Sequence, residues 1–174
     1  NAAIAKLLAG PGAPFEMVEA DVLGRRIRVW KNALPTLRAF IDMSRLHGEK
    51  IFVVYEDERF TFEQHWRAAA KVGRVLVEKF GVKKGDRVAI AMRNFPEWPM
   101  AFFGATAVGA IVVPLNAWWT GDELEYGLED SSSSVLFCDG ERAARIAPHF
   151  EKLRDLRHVI VARADEPLLP EHHR

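Results

Sequence analysis

GDRVAIAMRNFPEWPMAFFGATAVGAIVVPLN, residues 85–116, reads as a strand, a helix and a second strand with almost no loop between them. Asp86 and Arg87 close a turn opened by Gly85, and Val88 to Met92 is a short apolar run ending at charge. A run of that length between turn signals is the pattern of a strand buried on both faces. Asn94 and Pro96 mark a helix start, and Glu97 sets a carboxylate in the first turn, where the helix dipole favours it. Apolar and small residues lie all round from Trp98 to Val108, so this helix is expected to be buried on most sides. Gly109 ends it, and Ala110 to Val113 is a second short apolar run. Pro114, which has no N–H to donate, stops that strand or sits at its end. Two buried strands joined by a helix form a βαβ unit, which requires a parallel sheet.

Towards the C-terminus the alternation continues. Thr120-x-x-Glu123 is a capping box opening a helix to about Asp130. Ser131 to Ser134 is a polar loop before a strand at Val135 to Cys138. Asp139-Gly140 turns into a third crossover helix, Glu141 to about Leu153, with Ala143, Ala144, Ile146, Ala147 and Phe150 on its apolar side. Pro148 is expected to kink that helix or end it early. His158 to Val161 is a last strand. The order β-α-β-α-β-α-β, with short loops and right-handed crossovers, predicts an α/β fold with a mainly parallel sheet. Ala164 to Arg174, with two prolines and mixed charge, reads as a linker or frayed end.

Towards the N-terminus, Thr61-x-x-Gln64 is another capping box. Its helix runs to about Phe80, with Trp66, Ala69, Ala70, Gly73, Leu76, Val77 and Phe80 on one broad face. Ile51 to Tyr55 and Arg59 to Thr61 are the arms of a β-hairpin, and Glu56-Asp57-Glu58 is its solvated acidic turn. Pro35 to His47 is predicted to be a helix with Leu37, Phe40, Ile41, Met43 or Ser44, and Leu46 facing inward, and Gly48 as its cap. Ile27 and Val29 alternate with Arg26, Arg28 and Trp30, as in a short amphipathic strand. Ala2 to Ala9 is read as a helix leading into Gly10-Pro11-Gly12. The expected organisation is a lead-in segment over 1–50, an α/β subdomain over 51–163 and a linker over 164–174.

A chain of 174 residues has room for one domain and a real core. Its 49% apolar and 28% charged content is ordinary for a soluble protein. Lys plus Arg and Asp plus Glu both number 24, which excludes the broad basic footprint of a nucleic-acid binder. The single cysteine, Cys138, allows no internal disulfide and fits a reducing interior. Ala2 to Ala9 and Trp98 to Val108 are both too short to span a bilayer. A soluble, cytoplasmic chain is expected, with membrane contact at most peripheral.

Phe60-Thr61-Phe62-Glu63-Gln64, Gly85-Asp86-Arg87-Val88-Ala89, Asn94-Phe95-Pro96-Glu97-Trp98, Gly109 to Asn116 (GAIVVPLN) and Asp122-Glu123-Leu124-Glu125-Tyr126 fall in one order and spacing. Together they resemble the N-terminal part of the adenylate-forming acyl-CoA synthetases, the AMP-dependent synthetase and ligase superfamily. The resemblance covers roughly Val29 to Arg163. It implies a full-length ligase that joins a fatty or other apolar carboxylic acid to CoA through an acyl-adenylate. That enzyme would use ATP, Mg2+ and CoA, and the remainder of the synthetase chain would be this segment's partner. The family's Ser/Thr/Gly-rich loop ending in Pro-Lys-Gly, its aromatic-Gly-x-Thr-Glu segment and its C-terminal catalytic lysine do not occur here. The resemblance therefore implies no catalytic and no cofactor-binding residue in this segment, which is expected to be inactive alone. The chain is expected to be a piece of a longer enzyme, and Arg174 at its end suits trypsin-like cleavage. Exposed apolar surface is expected to make it self-associate. Two other readings stay open: an aryl or amino-acid adenylating enzyme on the same scaffold, and a stand-alone, non-catalytic α/β binding module.

Other motifs carry little chemistry. Gly104-x-x-x-x-Gly109 has the glycine spacing of a P-loop, but Ala110-Ile111 stands where Lys-Ser/Thr is needed, and it falls at the wrong end of a helix. Neither Gly10-Pro11-Gly12 nor Ser131 to Ser134 makes a phosphate cradle. His65 and the other histidines show no metal spacing, and His172-His173 reads as solvated. The distinctive feature is Trp118-Trp119, two adjacent indoles in a connection. One is expected to pack inside and the other to cover the rest of the full-length domain; an acyl-pocket or subunit contact is the alternative. The family often has smaller or charged residues there, and Pro99 departs from the family's aliphatic residue at the start of the central helix.

Overall fold

The structure, a computed structural model, describes residues 2–164. The chain opens with α1 (Ala2–Ala9) and an antiparallel hairpin of β1 (Met17–Val22) and β2 (Arg25–Trp30). The hairpin turns at Leu23-Gly24, where both residues have positive φ (52° and 76°) as a type I′ turn requires. The alternation at Ile27 to Trp30 does mark a strand. Its partner β1 escapes notice because Glu19 and Asp21 dilute the apolar pattern and Leu23 stands where Asn or Gly would announce the turn.

Next come α2 (Leu37–Ser44), capped by Thr36 and continued by a 3-10 turn over Arg45–His47, and the hairpin of β3 (Ile51–Tyr55) and β4 (Glu58–Thr61). The inward face expected of α2 is corrected here. Only Ile41 is buried; Leu37, Phe40 and Met43 are about half exposed, and Leu46 is 84% exposed. Periodicity reports a stripe, but the cover over this one is incomplete.

The sequence from α3 onward follows the expected alternation: α3 (Phe62–Glu78), β5 (Arg87–Ala91), α4 (Glu97–Ala107), β6 (Ile111–Pro114), α5 (Gly121–Asp130), β7 (Val135–Asp139), α6 (Gly140–Ile146) and β8 (His158–Ala162). Both capping boxes form, with the Thr61 and Thr120 hydroxyls accepting from the amides of Gln64 and Glu123. The four strands β6-β5-β7-β8 are all parallel. Successive side chains separate to opposite faces. Val88, Ile90, Val135 and Phe137 pack towards α3 and α4, while Ala89, Ala91, Leu136 and Cys138 pack towards α5 and α6.

Three expectations change in detail. The second strand of the opening βαβ unit, β6, is a sheet edge and not a strand buried on both faces: Ile111 is 54% exposed. On α3 the inward positions include His65 and Val72, while Ala70 and Val77 face out. The third crossover helix ends at Ile146 and passes into a 3-10 turn with Pro148, because proline can neither donate to the ladder nor avoid the preceding carbonyl. The expected linker lies almost wholly outside the described residues.

Helix α4 lies against α3, and none of its residues is exposed. A Cβ at Gly104 would sit 2.6 Å from Val72 Cγ1 and 2.8 Å from the Ala69 carbonyl oxygen. Gly104 is thus a packing contact, and Gly109, at φ 82°, ends the helix. Neither cradles a phosphate. Pro99 falls in the first turn of α4, where amides have no intrahelical partner, so it starts the helix without cost.

Candidate functional site

Strand order creates the site. β5 leads through α4 to β6 on one side of it, whereas β7 leads through α6 to β8 on the other. The connections leaving β5 and β7 diverge, and a crevice opens at the carboxyl ends of these adjacent strands, where α/β sheets place ligands. Here it is a cleft of about 440 Å³, lined by Arg93, Asn94 and Phe95 after β5, by Asp139 to Arg142 at the end of β7, and by Tyr55 and Arg163.

Asp139 ties the two loops together. It is buried, accepts from the Arg93 amide at 2.9 Å, and caps α6 by accepting from the Arg142 amide at 3.1 Å. Arg142, one turn further, is 1% exposed. Its Nη1 donates to both Asp139 oxygens at 3.2 and 3.3 Å and to Glu141 at 2.9 Å; its Nε donates to the Ala117 carbonyl at 2.6 Å. Its Nη2 is buried without a hydrogen-bond partner. Leaving such a donor desolvated and unpaired is costly.

Arg163, immediately after β8, closes another side. It donates to Glu97 at 3.0 Å and to Glu58 at 3.0 Å, and its guanidinium lies 5.0 Å from the ring centres of Tyr55 and Phe95. Hydrogen bonding to Glu97, more than to Glu58, raises its pKa above the ordinary arginine value. Of the three guanidiniums around the cleft, that of Arg142 pairs with Asp139 and Glu141, that of Arg163 with Glu97 and Glu58, and that of Arg93 lies over Trp118.

Trp118 and Trp119 part company, as expected of two indoles that cannot share one small core. Trp119 packs against the α5 and α6 side of the core, over Gly127, where a Cβ would approach it to 2.8 Å. Trp118 is 68% exposed and carries the Arg93 guanidinium over its ring at 4.3 Å. Arg93 therefore lines both the main cleft and a smaller hollow of about 240 Å³ beside Trp98, Pro114, Leu115 and Trp118. Arg142 and Arg145 hold this connection from α6 through the carbonyls of Ala117 and Trp119.

Sequence reasoning missed Arg93, Asp139, Arg142 and Arg163 as a group. In the sequence Asp139-Gly140 reads only as a turn; the available signal is an Asp at a strand end with Arg three residues later. A second titratable cluster is Asp122, Glu125 and His149, whose ligand atoms lie within 4.8 Å of one another. Lys152 Nζ already sits 2.9 Å from Glu125 Oε2, and His149 Nδ1 contacts the same oxygen. These bonds, that to Lys152 first, lower the Glu125 pKa. With an ammonium on the oxygen a metal would need, the cluster reads as a clamp between α5 and the turn after α6, and it does not fit Mg2+. His65, by contrast, is wholly buried between Phe52 and Phe103 with neither ring nitrogen hydrogen-bonded. Burial lowers its pKa.

A family model described as AMP-binding enzyme matches residues 42–173. The chain belongs to that family and corresponds to the N-terminal portion of its adenylate-forming ligases. A crotonobetaine/carnitine–CoA ligase of Salmonella paratyphi A is 31% identical over 117 residues, covering 65% of this chain and 22% of the relative. A long-chain-fatty-acid–CoA ligase of Escherichia coli O6:H1 is 35% identical over 114 residues, covering 64% and 20%. Among solved structures, an anthranilate CoA ligase in complex with anthranoyl-AMP superposes with a TM-score of 0.71 at 28% identity, over 74% of this chain and 26% of that one. A Mycobacterium tuberculosis fatty acyl CoA synthetase gives 0.63 at 26% identity, over 73% and 26%. The chain thus spans about a fifth of the length of these curated relatives. Among the described residues, no helix is long and apolar enough to cross a membrane.

Proposed function

We propose that this chain is the N-terminal portion of an ATP-dependent acyl-CoA synthetase acting on a fatty or other apolar carboxylic acid. The observation that carries this reading is the family match over residues 42–173 together with relatives that are CoA ligases. In the proposed reaction the acid's carboxylate attacks the α-phosphorus of ATP, forming acyl-adenylate and releasing pyrophosphate. The CoA thiol, losing its proton, then attacks the acyl carbon and AMP leaves. Activation replaces a poor leaving group with a good one, and cationic and amide donors must offset the charge that builds up on phosphorus.

Within this segment the residues suited to an anionic group are Arg93 and Arg142. Arg93 presents a guanidinium that lies over Trp118; Arg142 has an unpaired but buried Nη2, which would reach a ligand on rearrangement of the cleft wall. They would hold a phosphate of a nucleotide substrate, which supplies the leaving group or the thiol carrier, and they would do so by binding and orientation. Asp139 ties the loop that carries Arg93 to the start of α6, which carries Arg142. No residue here is proposed to make or break a bond, and the segment alone is proposed to be inactive.

The test is carboxylate-dependent ATP–pyrophosphate exchange by the whole protein, after the source gene is read past the codon for Arg174. Exchange with fatty acids supports the reading; exchange confined to aryl acids favours the aryl-adenylating alternative, for which the anthranilate ligase neighbour is the motivating likeness. A native stop codon after Arg174 and no exchange would leave a non-catalytic binding module.

A further inference from the structure

The hairpin of β1 and β2 is a structural unit without a visible purpose inside this chain. Its register places Val18 opposite Val29 and Ala20 opposite Ile27 on one face, with Val22 opposite Arg25 at the turn end of the same row. The other face carries Glu19 opposite Arg28 and Asp21 opposite Arg26, with Met17 opposite Trp30 at its open end, and Glu19 pairs with Arg26 at 2.8 Å. The middle of the ribbon is therefore amphipathic; Val18, Ala20 and Val29 are half-buried, but Val22 and Ile27 are more than 40% exposed, and Leu23 at the turn is 100% exposed. Among the described residues, no other helix or strand packs across it beyond isolated contacts. A two-stranded hairpin is marginally stable at best in water, so a ribbon of this kind needs apolar cover.

Three occupants can be weighed. A second copy could add to a free strand edge, but two-fold pairing of β2 about Ile27 sets Arg26 opposite Arg28, and pairing of β1 about Ala20 sets Glu19 opposite Asp21. Like charges directly opposite destabilise such pairs. Face-to-face association fails on size. Two six-residue strands offer a face of about 20 by 10 Å, on the order of 200 Å². Adding the exposed Ile4, Leu7 and Leu8 of α1 roughly doubles that, against about 800 Å² per partner in a stable complex. A bilayer is a poor third: one protruding leucine is a small anchor, and the basic side chains of β2 are largely matched by acidic ones on β1. Docking within one polypeptide needs far less area, because the two surfaces are already tethered.

We infer that the apolar face of this hairpin docks on the part of the synthetase polypeptide that this sequence does not cover. The inference rests on the reading of the chain as the N-terminal portion of a longer ligase, whose curated relatives are about five times its matched length. It goes beyond that reading, because the hairpin precedes the family-matched residues 42–173 and is an extension that the family match does not account for.

The test uses the full-length enzyme with Ile27 replaced by the photo-crosslinking residue p-benzoylphenylalanine, irradiated at nanomolar concentration and mapped by peptide mass spectrometry. The expected result is an intrachain adduct between position 27 and a residue beyond 174, at the mass of one chain. An adduct confined to residues 1–174, a band of twice the mass, no adduct, or transfer of the label to added phosphatidylglycerol/phosphatidylcholine vesicles would each overturn it. If the Ile27 variant does not fold, the same label at Leu23 replaces it, since that side chain is fully exposed and tolerates change. Pyrophosphate exchange by the labelled enzyme is read separately: an active enzyme without the adduct sinks the docking inference alone, and an inactive enzyme with the adduct sinks the ligase reading alone.

Discussion

Replacing Arg142 by Met removes the cation that neutralises Asp139 while keeping most of the side chain's volume. Asp139 then stays buried with two backbone amides, those of Arg93 and Arg142, as its remaining partners. Breaking a buried ion pair from one side costs roughly 3–5 kcal/mol, chiefly because a charge is left desolvated. Asp139→Asn keeps the cap, its Oδ1 accepting from the Arg142 amide, but sets Nδ2, a donor, against the Arg93 amide that the second carboxylate oxygen accepted from. It strands the guanidinium with Glu141, whose side chain is half exposed, so a loss of about 3 kcal/mol is expected. The double variant carries no buried charge at all, and such neutral replacements are often close to parental stability. A loss of about 1–3 kcal/mol is expected for it, from the Arg93 amide left without an acceptor, still short of the sum, so the coupling between the two sites is at least about 3 kcal/mol. Urea unfolding measures this directly. With a slope near 2 kcal/mol per molar, each single variant moves the midpoint down by roughly 1.5 M or more, and the double recovers most of it. Single variants that lose less than about 1 kcal/mol, or a double equal to the sum of the singles, would show that the pair is not the buried tie described here.

Further expectations concern titration and association. Burial lowers the pKa of His65, and burial followed by Arg157 lowers that of His158, so the unfolded chain binds more protons below pH 6.5. Their contribution is complete above pH 6.5 and declines as pH falls below it. The lowered carboxylates Glu16, Glu63 and Glu125 act only below about 4.5, leaving the interval between for the histidines. His65→Leu should therefore flatten the urea midpoint between pH 6.5 and 5, and an unchanged slope would contradict the orphaned ring. Burial, and then the neighbouring Asp139, push the Cys138 thiol up to about 12. It should resist a thiol reagent at pH 8 in the folded chain and react on denaturation; rapid native labelling would contradict its burial. The isolated chain, with Phe40, Leu46, Phe52 and Val54 exposed, should associate in light scattering at high concentration, and a strict monomer would speak against unpaired apolar cover.

Much of the architecture could be read from local chemistry. Thr61 with Gln64 and Thr120 with Glu123 announce helix starts because a hydroxyl and a reaching side chain satisfy amides only a few residues away. Val88 to Met92 and Val135 to Cys138 announce strands because both faces need apolar side chains in a covered parallel sheet. Gly104 could be dismissed as a phosphate cradle from its position in a helix, though only the packing of α4 on α3 shows that it admits the Ala69 carbonyl and Val72.

The sequence by itself determined the α/β alternation, the family and the absence of the family's ATP loop, all of which reside in neighbouring residues and their order. Only the tertiary structure decided that β7 inserts beside β5 instead of continuing past β6, because periodicity fixes which face a strand buries and not which strand lies next to it. That choice brings Arg93 to Asp139, 46 positions away, and opens the cleft that Arg142 and Arg163 line. It likewise decided that His65 is buried while Leu46 is exposed, since burial depends on what covers a residue and not on its own hydropathy.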